Sequence, residues 1–426
     1  MEILHKGNVS FILVFVKWKQ QSAPATRISS KSPLAGRPAN EIERTLAEGL
    51  RKQRAVQGLP GIAIENVRIQ PEPPFDITFQ LRSGRQRIPV FVESKPDFSP
   101  RRLAEIAPWI GRLKSLRQGV SIAVAAPVLS PQSQAFCIEN GIDFLDLAGN
   151  VFINVPGKFT IQRIGMRDRS IKPSTPAVPV MNVFSGRASR VLRVLLEKPR
   201  EWSVKGIADE LARESERLAK EVPQWQFDLR ISMGTVSKAV ASLEEQLWIR
   251  RLGARIVVPE PARLLRQWAE KYRERYRWRL RGAAQVANPF GADIGAIAAA
   301  LRPSVSTPFA ASGAAAVADV APWVEADIID FFTPSVPNAK SLQLPEPASA
   351  RRERELETTP LTGGGPLLRF IVPYDPGVFM YCRRNGAALL VSLVQAYLDL
   401  FARGGRDWKQ ADHLPEQSIA PRWSAV

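Results

Sequence analysis

Apolar residues recur at helical spacing three times between residues 183 and 260. The first run lies between Ser185 and Pro199, and its apolar face consists of Val191, Leu192, Val194, Leu195 and Leu196. The second run follows Ser203, a favourable N-cap, and the third starts at Ser232. Two short apolar and basic stretches joined by a glycine turn come next. The pattern therefore predicts three helices followed by a β-hairpin.

The third helix places small polar residues opposite a buried stripe of Val236, Val240 and Leu243. This order of elements is typical of a winged helix-turn-helix, in which the first turns of the third helix approach base edges in the major groove. Backbone N–H groups at the same end of the helix face phosphate. The residues that we predict to contact DNA are Ser232, Thr235, Ser237 and Lys238 on the helix, and Arg250, Arg251 and Arg255 on the hairpin, or wing. The alternative is a three-helix packing unit with a solvated basic hairpin.

The connection between the second and third helices is unusually long. Residues 213–230 separate the two apolar patterns, whereas an ordinary helix-turn-helix uses a turn of about three or four residues. Either the second helix continues to Glu221 and Pro223 ends it, or this segment is an insertion.

A different order of elements precedes this region. Helical periodicity is expected over about 40–54, 99–116 and 130–140, and short apolar or alternating runs predict strands at 62–69, 76–81, 88–95 and 120–125 and a final pair within 142–153. The sequence thus predicts an α/β domain over 39–165 with a central mixed sheet.

Two acids and a lysine fall on the predicted hairpin of this sheet. Asp76 begins one strand, and Glu93 and Lys95 share a face of its partner because alternate residues of a strand point the same way. Converging carboxylates can hold Mg²⁺ and orient a water for attack on a phosphodiester. Here the chain resembles the PD-(D/E)xK nuclease superfamily, which implies catalytic roles for these three residues, with Asp76 and Glu93 as metal ligands and an acid of the first helix, Glu41 or Glu43, assisting. The alternative is a solvated ion pair in a domain that keeps the fold without the activity.

A second polar string runs from Asp143 to Asn150. Asp146 could act as another acid at the sheet edge, and Asn150 could bind phosphate. A structural role is sufficient, however, because Gly149 and Asn150 suit a turn that requires positive φ. We favour the structural interpretation.

The remaining regions are a linker and a third domain. Residues 166–182 combine basic residues with three prolines, which predicts an extended linker. A helix is expected from Pro261 to about Tyr272, and the alternating arginines of 273–281 would line one side of a strand. On that basis we predict DNA-backbone contacts by Arg275 and Arg277. Strands at 367–372 and 378–381 and a helix at 389–402 complete a predicted α+β regulatory or partner-binding domain, 261–426.

Composition narrows the classes of function. The net charge is +18, and residues 250–281 hold eleven Lys or Arg against three Glu, a local net charge of +8. A concentrated positive charge favours a polyanion partner such as nucleic acid. Two histidines and two cysteines exclude a catalytic triad, a disulfide framework and histidine- or cysteine-based zinc chemistry.

The beginning of the chain gives no membrane signal. The apolar run Val9–Val16 is too short to cross a bilayer, so residues 1–38 are predicted to be a disordered or extended N-terminus. We expect a cytoplasmic protein with no membrane partner.

Over roughly Glu41 to Ile419 the chain resembles the AbiEi-like antitoxins of type IV toxin–antitoxin systems. The strings that carry this resemblance are Phe144-Leu-Asp-Leu-Ala-Gly-Asn150, Phe184-Ser-Gly-Arg-Ala-Ser-Arg-Val-Leu-Arg193, Ser232-Met-Gly-Thr-Val-Ser-Lys238, Pro373-Tyr-Asp-Pro-Gly-Val378 and Gln395-Ala-Tyr-Leu-Asp-Leu400. The resemblance implies an autoregulating DNA-binding protein that is often encoded beside a nucleotidyltransferase toxin. The nuclease-like first domain and the long 213–230 segment depart from compact members of that group.

We therefore expect an α/β multidomain protein with a restriction-endonuclease-like mixed sheet, a central winged helix-turn-helix over 183–260 and a C-terminal α+β domain. Its expected function is that of a DNA-binding transcriptional regulator, an antitoxin of a toxin–antitoxin or phage-defence locus, that binds double-stranded DNA without a cofactor. A homodimer is a further hypothesis, since DNA-binding regulators commonly pair their symmetry with that of the operator. The alternative function is that of a Mg²⁺-dependent DNA endonuclease targeted by its winged helix-turn-helix.

Overall fold

The computed structural model describes residues 2–6, 9–15, 40–69, 75–168, 170–171, 181–222, 224–281, 283–321, 326–335 and 366–423. The chain forms two compact units. The first comprises Met1–Val180 with Glu245–Leu247, and the second comprises Met181–Glu244 and Trp248–Val426.

The described residues of the first unit form a nine-stranded mixed sheet with three α-helices. Its strands lie in the order β1-β2-β9-β8-β7-β6-β5-β4-β3, and β5, β6 and β7 run parallel while the other neighbours are antiparallel. In chain order the elements are β1 (Glu2–Lys6), β2 (Val9–Phe15), α1 (Glu41–Arg51), β3 (Ile62–Ile69), β4 (Ile77–Ser83), β5 (Gln86–Ser94), α2 (Pro100–Leu116), β6 (Ser121–Ala126), α3 (Pro131–Glu139), β7 (Asp143–Asp146), β8 (Val151–Val155) and β9 (Phe159–Arg163).

Capping side chains set the starts of the three helices. Asn40 and Glu43 form a capping box at α1, and the Ser99 and Ser130 side chains accept from backbone N–H groups at the starts of α2 and α3. Two apolar cores then hold the helices against opposite faces of the sheet. Leu46, Ala47 and Leu50 of α1 belong to one core, and residues of α2 and α3 belong to the other. The predicted helix, three strands, helix, strand, helix, strand order is confirmed.

Three strands of this unit lie outside the sequence prediction. Strand β9 was missed, and β1 and β2 fall in the segment predicted to be a disordered or extended N-terminus; β2 pairs antiparallel with β9. Residues 16–39 and 172–180 are outside the described residues, so most of the predicted N-terminal extension and of the 166–182 linker cannot be compared with the structure.

The second unit begins with the predicted three helices and hairpin and continues into a six-stranded mixed sheet of order β12-β15-β14-β13-β17-β16. Its elements are α4 (Ser189–Glu197), α5 (Val204–Glu221), α6 (Met233–Glu245), β10 (Arg250–Leu252), β11 (Arg255–Val257), α7 (Pro261–Arg281), β12 (Ala284–Val286), α8 (Ile294–Leu301), β13 (Ala310–Ser312), β14 (Ile328–Phe332), β15 (Leu367–Ile371), β16 (Arg383–Asn385), β17 (Ala388–Leu390), α9 (Leu393–Arg403), α10 (Arg406–Leu414) and α11 (Ala420–Trp423).

One continuous apolar core runs through this second unit. It contains Leu192 of α4, Val240 of α6, Trp268 of α7, Phe331 of β14 and Leu398 of α9. The sequence-based boundary between residues 260 and 261 therefore lies inside a single packed body. Helix α5 ends at Glu221, so the first of the two alternatives for the long connection is confirmed.

The basic segment after Tyr272 is not a strand. Helix α7 continues to Arg281, and the predicted strand at 273–281 is wrong. The reason is a longer apolar period: Trp268, Tyr272 and Tyr276 lie four residues apart, all three are buried, and the two tyrosine rings stack at 4.5 Å. This helical period overrides the local alternation of arginine with other residues.

A second correction concerns residues 378–381. A 3₁₀ turn, Pro376–Phe379, replaces the predicted strand, and the Asp375 side chain accepts from Gly377 N–H at its start. The helix predicted at 389–402 begins later, at Leu393, because Ser392 caps it and Leu389 belongs to β17. In the part of the chain that the structure describes, no helix is both long and apolar enough to span a membrane.

Candidate nucleic-acid interface

Helix α6 carries the predicted recognition residues. Ser232 lies just before the helix, its Oγ accepts from Thr235 N–H at 3.2 Å, and the two hydroxyls lie 2.9 Å apart. Val236 and Val240 are buried, while Ser237 and Lys238 are exposed on the opposite side. The predicted division of α6 into a buried stripe and a polar face is confirmed, and it leaves a small-residue N-terminal turn open to solvent.

The hairpin that follows α6 is attached to the helices by its backbone. Strands β10 and β11 pair antiparallel, and Trp202 forms an additional bridge with Ile256. The two residues exchange both backbone hydrogen bonds, at 2.9 and 2.6 Å, and both side chains are buried. Because Trp202 directly precedes α5, the hairpin is held at a fixed position on the helical part of this unit.

Two of the three wing arginines are bound to carboxylates of the same chain. Arg251 Nε lies 3.1 Å from Glu244, and Arg255 Nη1 lies 3.0 Å from Glu201. Within the described residues, Arg250 has no ion-pair partner. The free positive charge of the hairpin is therefore smaller than a count of its arginines indicates.

Lys238, which precedes this hairpin in the sequence, is a second cation without an ion-pair partner among the described residues. It is exposed to solvent. Met233 and Leu252, at the start of α6 and at the hairpin turn, are each 52% exposed. The exposed faces of α6 and the hairpin thus combine hydroxyl, cationic and apolar groups.

The arginines of α7 do not form the single basic strip that the sequence predicted. Residues two apart on a helix point to nearly opposite sides. Arg273 lies over the rings of Phe401 and Trp408, and Arg279 Nη1 donates to the Val372 carbonyl at 2.9 Å. Arg275 is exposed, and the side chain of Arg277 is outside the described residues.

The second candidate site lies on the β4–β5 hairpin of the first unit. Asp76 N–H donates to the Val92 carbonyl, and Asp76 Oδ2 accepts from Ser94 N–H at 2.7 Å and from Ser94 Oγ at 2.9 Å. Lys95 Nζ lies 2.6 Å from Glu93 Oε1, so the expected shared face of these two residues is confirmed. Burial raises the pKa of Glu93; the hydrogen bond from Lys95 opposes this shift, and the charge of Asp76 adds to it.

Few carboxylate oxygens of this site are available to a Mg²⁺ ion. Asp76 Oδ1 and Glu93 Oε2 have no hydrogen-bond partner among the described residues, and hard carboxylate oxygens suit this ion. Glu43, one of the two proposed helix acids, is buried and uses both oxygens on Asn40 in the capping box. No group of three or more His, Cys, Asp or Glu residues in the described ranges could hold a metal ion. Any ion here would depend on two carboxylates, with water or substrate oxygens completing its shell.

The Asp143–Asn150 string is structural. Asp146 and Asn150 are fully buried, and the Asp146 carboxylate accepts from Asn150 N–H, Asn150 Nδ2 and Leu129 N–H. Asn150 also exchanges two hydrogen bonds with the backbone of Met166. Gly149 has a φ of +99°, and a Cβ there would lie 3.0 Å from the buried guanidinium of Arg163. Burial leaves neither Asp146 nor Asn150 accessible to a phosphate.

Comparison of this chain with protein-family models, with curated proteins and with solved structures finds no match.

A buried polar network in the second unit was not predicted from the sequence. Arg190 of α4 forms a bidentate pair with Asp375, with N–O distances of 3.0 and 2.9 Å. Arg193, one turn later, donates to Gln395 Oε1 at 2.5 Å, and its guanidinium lies 5.1 Å from the Trp268 ring centroid. The network joins residues far apart in sequence.

The rest of this network centres on Asp399. It is fully buried and accepts from Gln395 Nε2, from Tyr272 Oη at 2.6 Å and from Ser312 Oγ. Burial raises the pKa of Asp399 to about 6, although these hydrogen bonds favour its charged form.

Three of the sequence strings quoted above, 184–193, 373–378 and 395–400, therefore meet around one set of buried side chains. The only sequence signal for this buried network was that polar residues lie three or four positions apart within otherwise apolar helical runs.

Proposed function

We propose that this protein is a DNA-binding transcriptional regulator whose DNA-contacting element is a winged helix-turn-helix formed by α4, α5, α6 and the β10–β11 hairpin. The observation that carries the proposal is the open polar face at the start of α6, followed by a basic hairpin that backbone hydrogen bonds fix to Trp202. A fixed hairpin supports recognition because little conformational freedom is lost on binding.

The predicted DNA contacts on α6 and on the hairpin each have a role in this proposal. Ser232, Thr235, Ser237 and Lys238 face base edges in the major groove, where hydroxyl and ammonium groups can donate to acceptors. Arg250 contacts phosphate directly. Arg251 and Arg255 exchange their carboxylate partners for phosphate, which makes their net contribution smaller than that of Arg250.

The purified full chain should be titrated by fluorescence anisotropy onto duplex DNA from its own upstream region and onto a shuffled duplex of equal composition, over a range of salt concentrations. We expect tighter binding to the upstream duplex and a linear loss of log affinity with log salt. Equal affinity for both duplexes would reduce the activity to non-specific binding, and absence of binding at low salt would contradict the proposal.

We also propose that the protein regulates its own operon as an antitoxin, together with a nucleotidyltransferase toxin. The support is the set of sequence strings that resembles AbiEi-like antitoxins, three of which meet in the buried network of the second unit. A promoter–reporter fusion measures this role: expression should fall when the protein is supplied and recover with the Lys238→Ala variant. A homodimer is part of the same proposal, and sedimentation with and without DNA measures it.

A second candidate function is that of a Mg²⁺-dependent DNA endonuclease. The specific observation in its favour is the partly buried Glu93, paired with Lys95, with a pKa that burial and Asp76 raise. Cutting of the bound duplex in Mn²⁺ or Mg²⁺ that disappears in chelator and in Glu93→Ala would establish it. Intact strands in both metals would leave regulation as the function.

A further inference from the structure

A small cavity lies in the second unit where the end of α5, the segment after α8 and the β16–β17 hairpin meet. Its volume is about 60 Å³, several times the minimum of about 10–15 Å³ that a water molecule needs. Apolar side chains of Val222, Val305, Phe309 and Leu389 form much of its wall. A space of this size suits a small polyatomic ion better than a nucleotide.

Two arginines add positive charge to this wall. Arg302 Nη2 donates to the Ala387 carbonyl at 2.6 Å, and Arg384 Nη2 donates to the Glu221 carbonyl. These single anchors orient both guanidinium groups. Because a guanidinium has five N–H donors, most of the donors on each arginine are not used by the anchor.

The nearby carboxylates do not neutralise these arginines. Among the described residues that line the cavity, Glu221 is the only acid, and its carboxylate binds Arg217 of the same helix. Asp319 pairs with Arg383, which is next to Arg384 in the chain. Within the described residues, Arg302 and Arg384 have no ion-pair partner. The cavity wall therefore carries two oriented cationic forks that pair with no carboxylate of the described residues.

We propose that this cavity is a binding site for a small free oxyanion of the phosphate class, held by Arg302 and Arg384. Guanidinium forks match the paired oxygens of phosphate. Both arginines are exposed, so an anion can reach them from solvent. The site is independent of the proposed DNA-contacting residues. Since Arg384 holds the last turn of α5 through Glu221, the bound anion connects that helix to α8 and to the β16–β17 hairpin.

Isothermal titration calorimetry of the full chain with inorganic phosphate, in a chloride buffer of matched ionic strength, tests the proposal. We expect saturable one-site binding to the wild type and at least about tenfold weaker binding to Arg302→Gln and to Arg384→Gln, since each loses charged hydrogen bonds. The matched control is Arg187→Gln, an exposed arginine in the same unit without an ion-pair partner among the described residues, which should bind like the wild type.

The outcomes separate the alternatives. Absence of saturable phosphate binding to the wild type overturns the proposal, whatever the variants do. Equal weakening in the Arg187 control shows non-specific screening and also overturns it. If phosphate does not bind but the Arg302 and Arg384 variants lose DNA affinity, the arginines belong to the DNA surface and the free-anion site is wrong. Circular dichroism of each variant confirms that the fold is retained.

Discussion

At the residue scale, the buried Arg190–Asp375 pair bears on the stability of the second unit. Both side chains are buried, and Asp375 also accepts from Gly377 N–H. Removal of one partner leaves a buried charge unpaired, so Asp375→Ala should lower the free energy of unfolding by about 3–5 kcal/mol. The double variant Arg190→Met/Asp375→Leu should lose less stability than either Arg190→Met or Asp375→Leu alone. Urea unfolding in a double-mutant cycle measures this, and additive losses would contradict a direct pair.

Asp399 predicts a pH dependence with a definite sign. Its folded pKa, about 6, lies above the ordinary value of 3.8, so the folded state keeps the proton longer than the unfolded state does. Stability therefore falls as pH rises between about 4 and 6, by about 3 kcal/mol in total. Asp399→Asn lacks this titration, so the stability of the wild type relative to the variant should decrease over that window and stay constant above it. Urea midpoints across pH measure the difference; a constant difference would contradict the raised pKa.

At the element scale, the hairpin arginines that form internal ion pairs are also proposed DNA contacts. Arg255 is held by Glu201 in an exposed pair, which makes only a small contribution to stability. Glu201→Gln should therefore leave the fold intact, free Arg255 for phosphate and tighten DNA binding, with a steeper salt dependence of up to about one counterion. The matched control is Glu216→Gln, an exposed acid on α5, which should change neither quantity. Weaker binding by Glu201→Gln, measured by anisotropy, would show that the ion pair positions the wing for DNA.

Local sequence signals predicted most of these elements, and their failures have physical causes. Serine caps and helical apolar spacing placed α2, α3 and α6 and the start of α5 to within a few residues, since those signals act within one turn, while the end of α5 was left open between two alternatives. Helix α7 was predicted too short because the alternating arginines of 273–281 favoured a strand, whereas the four-residue spacing of Trp268, Tyr272 and Tyr276, all buried in the core, continues the helix. Strand β9 was missed although it forms a local hairpin with β8 across residues 156–158; its other neighbour, β2, is distant in sequence.

At the scale of the whole molecule, the sites divide into those that a single element forms and those that several elements form together. The exposed face of α6 and the Glu93–Lys95 pair follow from the periodicity of one element, so sequence alone placed them. The Arg193–Gln395–Asp399 network and the two-arginine cavity require several elements to meet, and no local pattern contains that information. The net charge of +18 predicts an anionic partner without saying which surface binds it.

The central claim is that α6 and the hairpin bind DNA through unpaired cations. The most direct measurement is the salt-dependent affinity of the Lys238→Ala/Arg250→Ala double variant for the upstream duplex, compared with Lys220→Ala/Arg187→Ala, which removes the same two charges from exposed positions of the same unit. We predict that the first variant loses affinity and that the slope of log affinity against log salt falls by about two, while the control retains both. Equal behaviour of the two variants would contradict the account.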